Sequence, residues 1–470
     1  MSGSLAFTHD VIVIGAGPAG MAAATTAASF GLKTALLDEQ PRPGGQIYRD
    51  VGTTDPVVTR LLGPDYLHGL ALTQKLHAST VERHADTLVW DVSRDLTVTA
   101  LRDGLALQLR APQLIVATGA LERPSPLPGW TLPGVMNAGA AQIALKTSGA
   151  IPSGRVVLAG AGPLLLLVAV QLLQAGATVA AVVETAPAAN RKAALRHLPA
   201  ALRSPRTLLK GLAMLNRLRR AGVPWFTHAS ALAVQGTQHA EALSFSAGGR
   251  SQRVDADTVL LHHGVVPDTQ LSRLLRVEHV WSDAQLAWQV KTDSFGQTSL
   301  AGLRMAGDGV AIAGARAAEA QGTMVAMGAA EALGRMNAMQ LLIRAATFEG
   351  RLDAERRVRP FLDALYRPPR FITEPADDTL VCRCEEVTAG RVREMARLGC
   401  QGPNQTKFFS RCGMGPCQGR VCGGVVTQLL AAELGRTPGE VGAYRIRAPL
   451  KPVPLGALAA MADPLQDDTP

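Results

Sequence analysis

The most constraining feature of the sequence is an apolar run that leads directly into a glycine-rich turn. Residues 10–20 read DVIVIGAGPAG, and the run from Val11 to Ile14 is typical of a strand buried on both faces of a parallel sheet. Three glycines with GxGxxG spacing follow it: Gly15, Gly17 and Gly20. A small-residue helix, a second apolar run and an acid at residue 38 complete the pattern, which predicts a dinucleotide-binding βαβ unit.

Each part of this unit has a physical role in holding a pyrophosphate. Gly15 permits the tight turn, Gly17 lets the backbone approach the phosphates, and Gly20 lets the helix pack close to the strand. The helix N-terminus supplies N–H groups and a partial positive charge. Asp38 can accept a hydrogen bond from a ribose hydroxyl, and the proline- and glycine-rich loop after it is expected beside the cofactor.

The same pattern returns at residues 155–162, which read RVVLAGAG. Two glycines of the turn are kept, but Leu165 replaces the third, and the next predicted strand ends at Glu184. A large side chain at this position forces the helix away from the strand and argues against NAD(P) binding. Two hypotheses remain at this second turn, a working NAD(P) site and a retained fold with an empty or altered site.

Two histidines, His262 and His263, end a late strand of this second repeat. They are candidates for a catalytic role, although histidines at a strand end are more often structural. The sequence therefore assigns no catalytic residue.

All six cysteines lie between Cys382 and Cys422. Such a cluster predicts a metal site in a reducing compartment rather than a disulfide framework. Four thiolates suit an iron–sulfur cluster or zinc, and the CxC opening together with the flavoprotein pattern favours the cluster. Spacing alone does not choose between Cys412 and Cys422, and Cys400 is predicted to be a small buried residue.

Composition limits the classes of protein to consider. A chain of 470 residues predicts two or three domains, and only 4% aromatic residues argues against a nucleic-acid-binding protein that stacks bases. The net charge of +9 is densest in residues 191–220, where a solvated helical face is favoured over a docking face for an acidic subunit.

No signal peptide is recognised and the apolar stretch 164–173 is too short to span a bilayer. These features predict a cytoplasmic protein that meets a membrane only indirectly, through a partner.

Four motifs together resemble flavoproteins with two dinucleotide-binding domains: GAGPAG, PRPGGQIYR, VATGALERPSPLPGW and AGDG. The chain most resembles the α or A subunits of multi-subunit bacterial FAD-dependent amino-acid and opine dehydrogenases, such as opine oxidase, D-hydroxyproline dehydrogenase and dye-linked proline dehydrogenase, and the B subunit of hydrogen cyanide synthase. The C-terminal segments VCRCEEVT and GMGPCQGRVC resemble the [2Fe-2S] domain of bacterioferritin-associated ferredoxin. This resemblance implies a ligand set and makes Cys412 a non-ligand. The implied ligands are Cys382, Cys384, Cys417 and Cys422.

The predicted fold class is α/β, with two Rossmann-like dinucleotide-binding domains of the pyridine nucleotide-disulfide oxidoreductase type and a small helical [2Fe-2S] domain. The expected boundaries are residues 1–125 with 290–340 for the FAD-binding domain, 126–289 for the second, 341–377 for a linker, 378–435 for the [2Fe-2S] domain and 436–470 for a tail. The motifs and the resemblance together imply these FAD-binding residues: Gly15, Gly17, Pro18, Ala19, Gly20, Asp38, Glu39, Gly45, Gln46, Thr118, Gly119, Gly307 and Asp308.

The resemblance implies an electron-transfer subunit of a hetero-oligomer. A D-amino-acid-oxidase-like flavoprotein subunit would oxidise a C–N bond, and electrons would pass through FAD and [2Fe-2S] in this chain. Further candidates are FMN at a subunit interface and a small ferredoxin-like subunit. Because no cysteine precedes Cys382, a thioredoxin-reductase type of dithiol mechanism is excluded. One alternative is a self-contained NAD(P)H-dependent flavin oxidoreductase. A non-enzymatic partner in iron–sulfur assembly or storage would leave the flavin motifs unexplained.

Overall fold

A computed structural model describes residues 6–461 of the chain. The strands are β1 Val11–Ile14, β2 Thr34–Leu37, β3 Glu82–His84, β4 Leu88–Val92, β5 Thr97–Arg102, β6 Leu105–Arg110, β7 Gln113–Val116, β8 Ala120–Glu122, β9 Val135–Asn137, β10 Arg155–Gly160, β11 Thr178–Glu184, β12 Trp225–Phe226, β13 Ser230–Gln235, β14 Ala242–Ala247, β15 Arg250–Asp255, β16 Thr258–His262, β17 Val265–Pro267, β18 His279–Ser282, β19 Ala287–Val290, β20 Leu303–Met305, β21 Leu380–Cys382 and β22 Val387–Thr388.

The helices are α1 Pro18–Ser29, α2 Pro56–Leu62, α3 Pro64–His77, α4 Ala138–Ser148, α5 Pro163–Gln174, α6 Ala188–Leu195, α7 Leu198–Ala201, α8 Pro205–Arg220, α9 Gln270–Leu274, α10 Ala315–Ala332, α11 Ala338–Arg356, α12 Arg359–Leu365, α13 Arg370–Thr373, α14 Ala389–Arg397, α15 Pro403–Ser410, α16 Gly423–Leu434, α17 Pro438–Val441 and α18 Leu455–Ala459. A 3₁₀ turn spans Gly307–Gly309. These elements form a first unit (residues 8–119 and 268–334), a second unit (residues 120–267) and a cysteine module (residues 377–461).

The first unit is a five-stranded parallel sheet in the order β20-β7-β1-β2-β3. Since side chains alternate along a strand, the two faces of β1 enter two different cores. Val11 and Val13 pack with the helices α1 and α10, whereas Ile12 and Ile14 pack with residues of the antiparallel sheet β4-β5-β6. Burial on both faces explains the uninterrupted apolar run in the sequence.

The second unit repeats this architecture, with a parallel sheet in the order β12-β11-β10-β16-β9. One face of β10 packs on α5 and the other on the antiparallel sheet β13-β14-β15. Leu165 is only 2% exposed and lies in the core on the α5 side. The predicted α/β fold with two Rossmann-like units is therefore confirmed.

Two antiparallel strands, β8 and β17, pair where the chain leaves the first unit and where it returns. After the return, Leu271, Leu275 and Val277 pack in the core of the first unit, although they fall in the range expected for the second domain.

The cysteine module packs on both units. Nε1 of Trp130 donates to the carbonyl of Leu380 at 2.8 Å. The described part of the predicted tail also lies against the first unit, since the Leu450 N–H donates to the Trp90 carbonyl at 2.7 Å. Residues 462–470 of that tail lie outside the described residues.

Residues 66–110 alternate modestly in polarity, which predicts β-rich structure. The prediction is confirmed for residues 82–110, which contain β3 to β6, but residues 66–77 are helical in α3. Helical spacing is visible in the side chains that α3 buries, which are Tyr66, Leu72, Thr73 and Leu76. The expectation of strands is wrong there, because the period of the buried positions is 3.6 rather than 2.

The basic region predicted at residues 191–220 forms α6, α7 and α8. Leu218 of α8 is fully buried, while Leu209 and Leu212 are exposed and Lys210 forms an ion pair with Asp65 of the first unit. Within the described part of the chain, no helix combines the length and the apolar character that crossing a membrane requires.

Gly20→Ala tests the close approach of α1 to β1. A Cβ at Gly20 would lie 1.7 Å from the Gly15 carbonyl oxygen, so we expect the substitution to lower the free energy of unfolding by about 1–3 kcal/mol or more. Gly211→Ala, in α8 with no atom within 4 Å of the added Cβ, should instead raise it by about 0.5–1 kcal/mol. Urea denaturation of both variants measures this, and equal effects would contradict the packing argument.

Candidate cofactor and cysteine sites

The glycine turn of the first unit is built for close backbone contact. Gly15 has a φ of +102°, and a Cβ there would lie 2.5 Å from the carbonyl oxygen of Ala117. Helix α1 starts directly after Gly17, and no side chain caps its N-terminus. A Cβ at Gly17 would meet only the Cα of Gly45, at 3.9 Å. The first N–H groups of α1 are thus available to an anion such as a pyrophosphate.

Asp38 closes this turn on one side. Its Oδ2 accepts a hydrogen bond from the Ala16 N–H at 2.5 Å and its Oδ1 accepts one from the Gln40 N–H at 2.7 Å. Burial raises the pKa of Asp38, and the two backbone hydrogen bonds oppose that rise. Each carboxylate oxygen keeps a lone pair that can accept from a ribose hydroxyl. Glu39 is exposed and forms an ion pair with Lys451 of the cysteine module.

The proline- and glycine-rich loop folds over the glycine turn. The Gly44 N–H donates to the Ala16 carbonyl at 2.8 Å. A Cβ at Gly45 would lie 2.9 Å from the Cα of Gly17, so the two backbones touch. The side chain of Gln46 is exposed, while its carbonyl accepts a hydrogen bond from Nζ of Lys146 at 3.0 Å.

Lys146 is a buried amine that sequence reasoning missed. It lies on α4, in the second unit, and also donates to Oε1 of Gln142 at 3.0 Å. Burial, with a smaller contribution from Arg49, lowers the pKa of Lys146 from 10.5 to about 7. The i, i+4 pair Gln142 and Lys146 on a helix is the only local signal, and it does not reveal that the amine reaches the loop at Gln46.

The remaining predicted residues of the first site lie at the ends of β7 and β20. Oγ1 of Thr118 donates to the Asp268 carbonyl at 3.5 Å, and the Asp268 N–H donates to the Gly119 carbonyl at 3.0 Å. A Cβ at Gly309 would lie 3.3 Å from that Gly119 oxygen. These contacts bring the loop after β7 and the 3₁₀ turn after β20 together.

Asp308, within that 3₁₀ turn, fixes the chain that leads into α10. Its Oδ1 accepts hydrogen bonds from the backbone N–H groups of Ala313 and Gly314, at 2.8 and 3.0 Å. Its neighbour Gly307 has a φ of +76° and donates its N–H to Oε1 of Gln321 at 3.0 Å. Ligands of open α/β sheets bind at the carboxyl ends of the strands, and this edge gathers the predicted residues from four strands.

The second glycine turn differs from the first in one side chain. A Cβ at Gly160 would lie 1.8 Å from the carbonyl oxygen of His262, the same contact that Gly15 has with Ala117. His262 therefore stands where the first unit has an alanine. Its Nε2 would lie 3.1 Å from a Cβ at Gly162, so the imidazole lies against the turn.

Glu122 holds that imidazole in place. Nδ1 of His262 donates to Oε1 of Glu122 at 2.6 Å, and Oε2 accepts from the Gly139 N–H at 2.9 Å. At the far end of β11, burial raises the pKa of Glu184, with Arg191 opposing the rise.

His263 has a structural environment. It is fully buried, with Nδ1 2.7 Å from Oγ of Ser125 and Nε2 3.1 Å from Oγ1 of Thr185. Burial lowers the pKa of His263 to about 3, so the ring is neutral and bridges two hydroxyl groups.

The cysteines form two adjacent groups. The Sγ atoms of Cys382, Cys412 and Cys422 all lie within 4.8 Å of one another and are buried. Sγ of Cys384 and Sγ of Cys417 are 3.7 Å apart nearer the surface. Cys400 is buried, as predicted, and takes part in neither group.

The environment of the buried group favours a thiolate. Hydrogen bonds from Cys412 and Cys422, and then from backbone N–H groups, lower the pKa of Cys382, while the shared hydrogen bonding raises the pKa of Cys412. The Tyr444 ring packs against this loop, 2.6 Å from a Cβ at Gly413 and 2.3 Å from one at Gly419. Its hydroxyl is buried and pairs with the Cys412 thiol, so Tyr444 belongs to the surroundings of the buried cysteine group.

Comparison with known proteins agrees with this geometry. The sequence profile of the family "Pyridine nucleotide-disulphide oxidoreductase" matches residues 9–322. The chain belongs to this family of oxidoreductases. The profile of the "Sarcosine oxidase A3 domain" matches residues 377–462, which include the cysteine module.

Full-length relatives support the same assignment. The chain is 46% identical to the A subunit of opine oxidase from Agrobacterium tumefaciens (strain Ach5), over 96% of this chain and 91% of that protein. It is 33% identical to the HcnB subunit of hydrogen cyanide synthase from Pseudomonas protegens, over 95% of this chain and 96% of that protein. The crystal structure of L-proline dehydrogenase from P. horikoshii shares the fold, with a TM-score of 0.69, 19% identity and coverage of 96% of this chain and 79% of that one. The predicted resemblance to opine oxidase and hydrogen cyanide synthase subunits is confirmed.

Lys146→Met tests whether the buried amine makes the stability of the protein depend on pH. The unfolded chain keeps the Lys146 proton up to about pH 10.5, whereas the folded chain releases it above about pH 7. Stability should therefore rise with pH across this window, by about 1.4 kcal/mol per pH unit from this residue. Urea denaturation between pH 7 and 9 should show a shallower rise in the variant than in the wild type. Lys75→Met, which removes an exposed lysine of α3, should keep the wild-type slope, and an unchanged slope in Lys146→Met would refute the buried-amine argument.

Proposed function

We propose that this chain is the FAD- and [2Fe-2S]-containing electron-transfer subunit of a multi-subunit amine or amino-acid dehydrogenase. The observation that carries the proposal is the presence, in one chain, of an uncapped glycine turn and a separate group of thiols at a buried tyrosine. The relatives named as opine oxidase and hydrogen cyanide synthase subunits support the assignment to a hetero-oligomer.

The first unit is the proposed FAD site. Its uncapped α1 N-terminus fits the pyrophosphate, and Asp38 fits the adenosine ribose. The loop at Gly45 covers the turn, and the edge formed by Thr118, Gly119 and Asp308 would face the flavin half. These residues would orient the cofactor and exclude water; the Gln46 carbonyl, held by Lys146, would fix the covering loop.

The proposed cluster ligands are Cys382, Cys384, Cys417 and Cys422. Two thiolates on one tetrahedral metal, with metal–sulfur bonds of about 2.3 Å, lie roughly 3.7–3.8 Å apart. The Cys384–Cys417 separation of 3.7 Å fits one such pair. Cys382 and Cys422 would supply the second pair, leaving Cys412 as a buried neighbour. Backbone N–H groups of Gly413 and Glu385, which donate to Cys382, would tune the potential.

Flavins accept a hydride and release its electrons singly, and an iron–sulfur cluster takes one electron at a time. The amine substrate is proposed to bind in a D-amino-acid-oxidase-like partner subunit. Further candidates are FMN at the interface and a small ferredoxin-like subunit. The present chain would then hold the cofactors and keep them apart from water.

The alternative function, a self-contained NAD(P)H-dependent flavin oxidoreductase, has one observation in its favour. The second unit keeps a complete βαβ pattern, with Gly160, Gly162 and Glu184 in place. The imidazole of His262 at Gly162 counts against it, because it lies where a pyrophosphate needs to approach the backbone.

Anaerobic absorption spectra separate the two functions. If the chain is an electron-transfer subunit, NADH should leave the flavin band of the purified protein oxidised, whereas dithionite should bleach both the flavin and the cluster bands. The isolated chain should also show little turnover of proline, hydroxyproline or an opine. Bleaching of the flavin band by NADH would instead establish the reductase function. Strong turnover of these substrates by the isolated chain would exclude the electron-transfer subunit.

Cysteine variants test the cluster and its ligand set. Serine at Cys382 or Cys417 should lower bound iron and acid-labile sulfide by more than about half, because a serine hydroxyl is a harder and weaker ligand than a thiolate. Cys412→Ser and the control Cys400→Ser should both keep wild-type iron and sulfide. Loss of iron in Cys412→Ser would move the ligand set to the buried group, and zinc without labile sulfide in the wild type would exclude the cluster.

A further inference from the structure

A cavity of about 90 Å³ lies where the two units meet the cysteine module. Its walls come from α9, from the hairpin β18–β19, from residues 121–124 and 266–267 of the second unit, from residues 418–425 and from the segment around Tyr444. Asp268 also lines it, and the backbone of Asp268 bonds to Thr118 and Gly119 at the proposed cofactor edge. The cavity therefore lies beside, but outside, the residues assigned to either cofactor.

Unpartnered polar atoms gather at this cavity. Among residues 6–461, four buried side-chain nitrogen or oxygen atoms without a hydrogen-bond partner belong to residues that line it. These four are Oε1 of Gln270, Nη2 of Arg273, Nε1 of Trp288 and Nε of Arg420. Leaving buried polar groups unpaired is costly, so such a concentration indicates a site that is completed by a ligand.

The chemistry of these groups selects the ligand. Three of the four groups can donate a hydrogen bond, and two of those belong to guanidinium groups. Arg123, one of the charged residues lining the cavity, donates hydrogen bonds to the carbonyls of His263, Gln285 and Leu286. Asp268 offsets one positive charge, which leaves an excess of cationic donors for an anion.

Arg273 is already positioned for this task. Its Nε donates to Oγ1 of Thr269 at 3.1 Å, and its guanidinium carbon lies 4.9 Å above the centre of the Trp288 ring. These contacts fix the guanidinium plane and leave Nη2 unpartnered. Burial lowers the pKa of Arg273 to about 10, so the side chain still carries its charge at neutral pH.

We propose that this cavity binds a compact oxyanion group, the carboxylate or phosphate of a small molecule, between Arg273, Trp288 and Arg420. Arginine forks and an indole N–H match the lone pairs of such a group, and the volume admits little more than its headgroup. The proposal goes beyond the proposed function and stands independently of it, because its readout is binding alone.

Isothermal titration of the purified full-length chain tests the site. Sodium phosphate and sodium acetate are titrated separately, in a buffer without other small oxyanions. Saturable binding of either anion by the wild type is expected; binding of phosphate alone identifies a phosphate-bearing ligand, and binding of acetate alone identifies a carboxylate. Arg273→Gln and Arg420→Gln should each weaken binding about tenfold or more, because each removes a charge-assisted hydrogen bond. Arg250→Gln, which removes an exposed arginine of β15, should bind as tightly as the wild type.

Trp288→Phe keeps an aromatic ring beneath Arg273 but removes the indole N–H, and it should weaken binding several-fold with an unchanged circular dichroism spectrum. This variant provides the binding test if an arginine variant fails to fold. Absence of saturable binding to the wild type, or wild-type affinity in the arginine and Trp288 variants, would overturn the proposal and leave a cavity filled by water only.

Discussion

The distance between α1 and β1 determines where the N-terminus of α1 lies at the proposed cofactor edge. The helix can approach the strand because Gly20 places no side chain against the Gly15 carbonyl. On its other side, α10 approaches equally closely, since a Cβ at Gly322 would lie 2.1 Å from the Ala19 carbonyl oxygen. Helix α1 is thus held between a strand and a helix by backbone contacts. Its N-terminus, its uncapped N–H groups and its dipole are fixed relative to the carboxyl ends of the sheet, which is the preorganisation that an anionic cofactor needs.

The two units show how one architecture separates into two kinds of site. Both have a strand, a glycine turn and a helix, and both place the carbonyl of a neighbouring strand against the first glycine. The first unit has Ala117 there and leaves the turn free. The second has His262, whose ring is oriented by Glu122 and lies over the turn. Leu165 at the third glycine position is absorbed into the core, so the second unit keeps its fold while its turn changes character.

Local physics explains which features the sequence reveals. The βαβ units are predictable because glycine sterics and apolar periodicity act within about thirty residues. The same holds for the loop over Gly17, which follows its strand directly. Helix α3 is not predicted from the sequence, because a modest alternation in polarity competes with the helical spacing of its buried side chains. Two features have no sequence signal because tertiary packing creates them: Lys146 meets Gln46 across 100 residues, and the cavity joins Arg273 and Trp288 to Arg420 and Tyr444 from a separate module.

The first unit and the cysteine module share one apolar core, which has a consequence for how the protein unfolds. One apolar cluster contains Ile12 and Leu114 of the first unit together with Val426 and Leu429 of the cysteine module. Elements that bury surface against each other unfold together, whatever their separate functions. The module is therefore not an independent, removable domain. Separating it by proteolysis or gene truncation would expose apolar surface on both fragments, so the first unit and the cysteine module form one folding unit.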